Sequence, residues 1–185
     1  GAIANDIRDQ RGALERNDFI NVDMRRTTAE RASLDRIRIE QGRDINFFGV
    51  AGEALTKHVE TELAGIGQND ALDIERTANL VGRIATDVQN ALGKEAVWVA
   101  VRVSLPNTEY DIPRWHPDGR YFETKVGEKT YKLVAALKGP QTLFGRVIDQ
   151  KRYRELEEAR RQNNRTNEYG SPAHTSEDMR IRVEL

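Results

Sequence analysis

The chain has no cysteine among its 185 residues. That absence excludes disulfide scaffolds, thiolate metal sites and cysteine nucleophiles together. It fits a reducing compartment, so a cytoplasmic location is the expectation. Long hydrophobic runs are missing as well: nothing approaches the roughly 18 consecutive apolar residues of a membrane-spanning helix. No signal-peptide pattern is visible, although the sequence opens Gly1-Ala2-Ile3 without an initiator Met, which leaves the natural N-terminus unread. There is no excess of charge of either sign. The 29 Lys and Arg are matched by 30 Asp and Glu for a net charge of −1, which argues for neither nucleic acid nor an anionic membrane as partner. A Walker loop, Gly-x-Gly-x-x-Gly and Gly-x-Ser-x-Gly are all absent, so nucleotide binding and serine-hydrolase chemistry have no motif support. No internal repeat or low-complexity segment occurs.

What is present is a wet sequence, 32% charged and 38% hydrophobic with a mean hydropathy of −0.70. Its core is therefore expected in the periodic segments, within one domain or a domain with a helical extension. Residues 1–93 read as helical. Leu80, Val81, Ile84, Val88 and Leu92 recur at helical spacing over about 70–92, with Asn69 or Asp70 to cap the start and Gly93 at the C′ position. A second helix is expected near 44–64, carrying Phe47, Val50, Leu55, Val59 and Leu63. A third is expected over 27–41 with a thin stripe of Leu34 and Ile37, and a fourth within the first fifteen residues.

The character changes at Lys94. Residues 96–105 alternate: Val97, Val99, Val101, Val103 and Leu105 share one face, and Trp98, Ala100, Arg102 and Ser104 the other, which predicts a strand. Residues 130–138 and 141–148 are further strand candidates, punctuated by Gly139-Pro140. Residues 150–163 predict a charged helix with a thin stripe of Tyr153, Leu156 and Ala159, and 162–173 a loop. Its basic residues, Lys151 to Arg165, interleave with Glu155, Glu157 and Glu158 and read as a solvated face with i,i+4 pairs. The last segment supports two readings. Ile181, Val183 and Leu185 alternate like a strand, while Thr175 followed by Asp178 has the form of a capping box that starts a helix.

One segment carries chemistry. His116-Pro117-Asp118 lies in Arg-Trp-His-Pro-Asp-Gly, between strand-like runs, and a His and a carboxylate two residues apart on extended backbone project to the same side. That is how two ligands of a 2-His-1-carboxylate iron site are presented. With the downstream Leu133-Val134-Ala135-Ala136-Leu137-Lys138-Gly139-Pro140-Gln141-Thr142, residues 101–144 resemble the Fe(II)/2-oxoglutarate-dependent dioxygenase superfamily, about a quarter of the chain.

The resemblance implies a fold and a ligand set. The fold is α+β: a helical N-terminal half, 1–93, packed on a partial double-stranded β-helix (jelly-roll) sheet, 94–185, with a charged helical insertion at about 150–163. The implied function is that of an oxygenase-like protein, with Fe(II) bound through His116 and Asp118 and 2-oxoglutarate bound to the iron through its keto acid. Lys132, Arg180 and Arg182 are the candidates for the cosubstrate's far carboxylate. A distal His followed by an Arg is the superfamily pattern, which makes His174 the candidate third ligand. Against it, no strand-forming segment precedes His174, and its bland reading is a solvated loop histidine. His58, upstream and in a helix, reads as a surface or packing residue. About eight strands make a jelly roll, and three good candidates with one poor one are present. Either the site is incomplete within these residues or the jelly roll is degenerate. The rival reading is a non-enzymatic helical interaction or structural domain in which Trp115-His116-Pro117-Asp118-Gly119 is only a turn. Substrate and oligomeric state leave no mark in the sequence.

Overall fold

The computed structural model describes residues 1–16, 19–106, 127, 129–140 and 144–184. Among these are seven helices and one two-stranded antiparallel sheet, a mostly helical α+β arrangement. The chain divides into two compact units, residues 1–106 with 135–140, and residues 107–134 with 141–185.

The first unit is organised by its longest helix. In chain order it holds α1 (Ala2–Asp9), α2 (Arg11–Glu15), α3 (Thr28–Arg36), β1 (Arg43–Gly49), α4 (Glu53–Leu63), α5 (Ala71–Leu92) and β2 (Val97–Val103). The ends of α5 follow from its sequence. Asp70 accepts the Leu72 N–H at 2.9 Å, and Gly93 takes the left-handed conformation (φ 61°, ψ 39°). The N–H groups of Gly93 and Lys94 then return to the carbonyls of Asn90 and Gln89, the double closure of a Schellman motif.

α5 buries residues nearly all round because it stands between two apolar clusters. On one side Ile74, Ala78, Val81 and Ala85 meet Leu55, Val59 and Leu63 of α4 and Ile45 and Val103 of the sheet. On the other, Leu80 and Ile84 meet Ile3 and Ile7 of α1 and Leu34 of α3. A fully buried Leu such as Leu80 contributes about 1.5–3 kcal/mol by leaving water. Gly82 lets α4 approach closely: a Cβ there would lie 2.2 Å from Thr56 Oγ1. α3 starts with a full capping box between Thr27 and Glu30.

β1 and β2 pair with Arg43 opposite Val103 and Gly49 opposite Val97. Ile45, Phe47, Val99, Val101 and Val103 turn to the core. Asp44, Asn46, Phe48, Trp98, Ala100 and Arg102 form the outer face, where Trp98 Nε1 donates to Asn46 Oδ1 at 3.2 Å. Gln89, near the end of α5, holds the sheet's entry and exit: its Oε1 accepts the Ala51 N–H, and its Nε2 donates to the carbonyls of Lys94 and Glu95.

The second unit contains α6 (Gln150–Thr166) and α7 (Pro172–Glu184). Asp149 caps α6 by accepting the Arg152 N–H at 2.9 Å. Ser171 accepts the His174 N–H at 3.2 Å, with Pro172 at the first helical position, where a missing N–H costs nothing.

The structure differs from several expectations. No jelly roll is evident among the described residues. The 44–64 helix is instead strand β1, a turn through Gly49 and Gly52, and then α4. Residues 130–138 form no strand: Leu137 packs on both core clusters of the first unit, while Leu133 and Val134 are exposed. The described part of 141–148 is irregular as well. The final segment is helical throughout its described length, so Ile181 is fully buried while Val183 stands 72% exposed.

Candidate functional site

β2, which precedes the His-Pro-Asp segment in the chain, ends at Val103 with its valine face on the core. His116 and Asp118 themselves lie outside the described residues. The chain is refastened to the first unit at 135–140. Lys138 Nζ donates to the carbonyls of Leu34 (2.7 Å) and Asp35 (2.9 Å), two orphan acceptors at the C-terminal end of α3, and Arg26 Nη1 donates to the Leu137 carbonyl at 3.0 Å. The Leu-Lys-Gly-Pro part of the resemblance is thus an anchor on the helices.

His174, Arg180 and Arg182 all fall on α7, and each has its partners within the α6–α7 hairpin. The His174 side chain is buried at the joint of the two helices. Its Nε2 lies 2.8 Å from Asn164 Oδ1, its Nδ1 accepts the Gly170 N–H at 3.4 Å, and its ring packs on Tyr169 with centroids 4.9 Å apart. Its backbone carbonyl accepts from the buried Asn163 side chain at 3.0 Å. Arg180 forks onto Glu177 (2.7 and 2.9 Å) and reaches Glu184 at 2.8 Å. The Arg180 guanidinium holds the Glu177 carboxyl below its ordinary range. Arg182 donates to Asp178 at 2.5 Å, both side chains being largely buried. Glu184 also meets Arg152 of α6 across the open end of the hairpin.

This arrangement bears on the proposed chemistry. A cosubstrate carboxylate approaching Arg180 has to displace a carboxylate already in place. Lys132 is exposed on an irregular segment of the same unit. A metal approaching His174 meets a ring with both nitrogens engaged. Among the described residues no group of three or more His, Asp or Glu side chains is poised around a common point.

His58, on α4, approaches the Asn46 carbonyl of β1 at 3.0 Å and packs near Phe47, in keeping with a packing role. A shallow cleft on the outer face of the sheet, bordered by Asp44, Asn46, Trp98 and Arg102, encloses about 50 Å³. That is a small fraction of the several hundred Å³ that a small-molecule site needs.

The sequence reading missed several polar groups that the structure uses. Asn164 falls in the segment expected to be a loop, but α6 continues through it to Thr166 and turns both Asn163 and Asn164 onto His174. Asp73, buried at the start of α5, forms two bonds with Arg36 at 2.6 and 2.8 Å, and this guanidinium lowers its carboxyl to a pKa of about 2. A charged residue at a core-facing position of a helix was the available signal. No family model, curated protein or solved structure matches this chain.

Proposed function

We propose that this chain is a non-haem iron, 2-oxoglutarate-dependent oxygenase-like protein that carries two metal ligands, His116 and Asp118, in a site that its described residues leave incomplete. One observation supports this reading most. The segment bearing the two ligands leaves from β2 and is refastened at Leu137 and Lys138, so both of its ends are held by one packed helical unit. Such anchoring suits a site whose ligands must be presented on fixed backbone.

The test is metal binding by the whole chain. Mn²⁺, as a redox-stable stand-in for Fe(II), is titrated into the wild type, His116→Ala and Asp118→Ala. Each variant is expected to lose about tenfold or more in affinity. Equal and negligible affinity in all three proteins sinks the proposal.

A second reading is favoured by a different observation. His174 and Arg180 have their polar side-chain groups bonded inside one helical hairpin, and Arg182 pairs there with Asp178, which is what a helical interaction or structural domain needs and what an open cosubstrate site does not. Under that reading His116-Pro117-Asp118 is a turn, and its substitution changes local stability only.

A further inference from the structure

We infer that His174 is the polar pin of the α6–α7 hairpin, and that any metal this chain holds takes its third ligand from a residue other than His174. His174 joins four separate pieces of backbone or side chain. Its ring nitrogens reach Asn164 on α6 and the Gly170 N–H in the connecting turn. Its backbone N–H meets Ser171, and its carbonyl meets Asn163. Only 5% of the residue is exposed, and Asn163 beneath it is 4% exposed.

The geometry sets the tautomer. Asn164 Oδ1 can only accept, so Nε2 carries the proton. The Gly170 N–H can only donate, so Nδ1 offers its lone pair. A metal needs a ring lone pair directed at open space. The single lone pair is used by Gly170, and exchanging tautomers sets Nδ1–H against the Gly170 N–H. Ligation at either nitrogen therefore breaks a bond that ties α6 to α7 or closes the turn between them. Apolar contact does little to compensate, since Leu156 and Ile181 are the only buried apolar residues of the two helices.

The inference stands whether or not a metal binds at His116 and Asp118, and the experiment separates the two. Thermal unfolding and Mn²⁺ titration are run on the full chain as wild type, His174→Ala, Asn163→Ala and His116→Ala. His174→Ala and Asn163→Ala are expected to lower the unfolding temperature of the hairpin together, and to leave Mn²⁺ binding as it is in the wild type, whether measurable or absent. An unchanged unfolding temperature in His174→Ala overturns the inference. So does a loss of Mn²⁺ affinity of about tenfold or more in a His174→Ala protein of unchanged helix content.

If His174→Ala fails to fold, long-range ¹H–¹⁵N correlation spectra of the wild type decide the matter. A His174 ring protonated at Nε2, bare at Nδ1 and unmoved by diamagnetic Zn²⁺ supports the pin. A ring of the other tautomer, or one shifted by Zn²⁺, overturns it. A His116→Ala variant that binds Mn²⁺ like the wild type removes the iron proposal and leaves this inference untouched.

Discussion

Replacing Gly82 by alanine reverses the usual expectation for a glycine inside a helix. In an unobstructed helix interior the change stabilises by up to about 1 kcal/mol. Here the new Cβ falls 2.2 Å from Thr56 Oγ1, on the face where α5 meets α4. Thr56 must rotate or the helices must part. Rotation gives up the 3.2 Å bond from Thr56 Oγ1 to the Gly52 carbonyl at the start of α4, worth about 1 kcal/mol. If the helices part instead, overpacking costs about 1–3 kcal/mol. Against the propensity gain, the net effect is a loss of about 1–2 kcal/mol, at roughly 4–8 °C for each kcal/mol in a unit of this size.

The partner mutation makes the argument sharp. Thr56→Ala removes the offending oxygen, and the next atom, Cβ of residue 56, lies at an ordinary 3.5 Å. In that background Gly82→Ala is expected to stabilise. Chemical denaturation followed by far-UV circular dichroism on the four proteins of the cycle measures the coupling, expected at about 2–3 kcal/mol. Stabilisation by Gly82→Ala in the wild-type background, or additivity within about 0.5 kcal/mol, refutes the close-approach reasoning.

Three further outcomes follow from the same unit. Asp73 has a folded pKa of about 2, below its ordinary 3.8, so its contribution is present above about pH 4 and is lost as pH falls through 2. The stability gap between wild type and Asp73→Asn is therefore expected to close over that acid window in urea titrations, and a pH-independent gap contradicts the Arg36 pairing. Gln89→Leu leaves the Ala51 N–H and the Lys94 and Glu95 carbonyls without their partner and should cost about 2–3 kcal/mol, read from the urea midpoint. Lys138→Met keeps the side-chain stem but removes two bonds to the end of α3, an expected loss of about 1 kcal/mol, and an unchanged midpoint would show that the segment is not anchored there.

The parts of the fold that were legible carry their own punctuation. α5 has a capping Asp70, a closing Gly93 and an apolar pattern of helical period, and β2 has four valines alternating on one face. β1 was hidden because Phe47 and Val50 fall at a spacing compatible with the helix that follows. Gly49, at φ 154°, and Gly52 were the overlooked break. Residues 130–138 alternate as a strand does, and nothing local reveals that Leu137 and Lys138 are claimed by α3 and the core over a sequence distance of about a hundred residues. Tertiary contact overrides pattern there. The candidate site was legible only as residue types. That His174 and Arg182 spend their polar groups on α6 and Asp178 depends on a hairpin whose first helix is longer than the sequence suggested.

The mixture of polar and apolar groups between α6 and α7 has a consequence for uniqueness. Two helices joined only by Leu156 and Ile181 could slide by one turn, about 5.4 Å, and find nearly equivalent greasy contact. The buried Asn163 amide and His174 ring do not tolerate that slip, because each would remain dehydrated and unbonded at about 1–3 kcal/mol. Directional contacts of this kind add little depth to the native basin. They raise the competing alignments above it, so the hairpin has a single register.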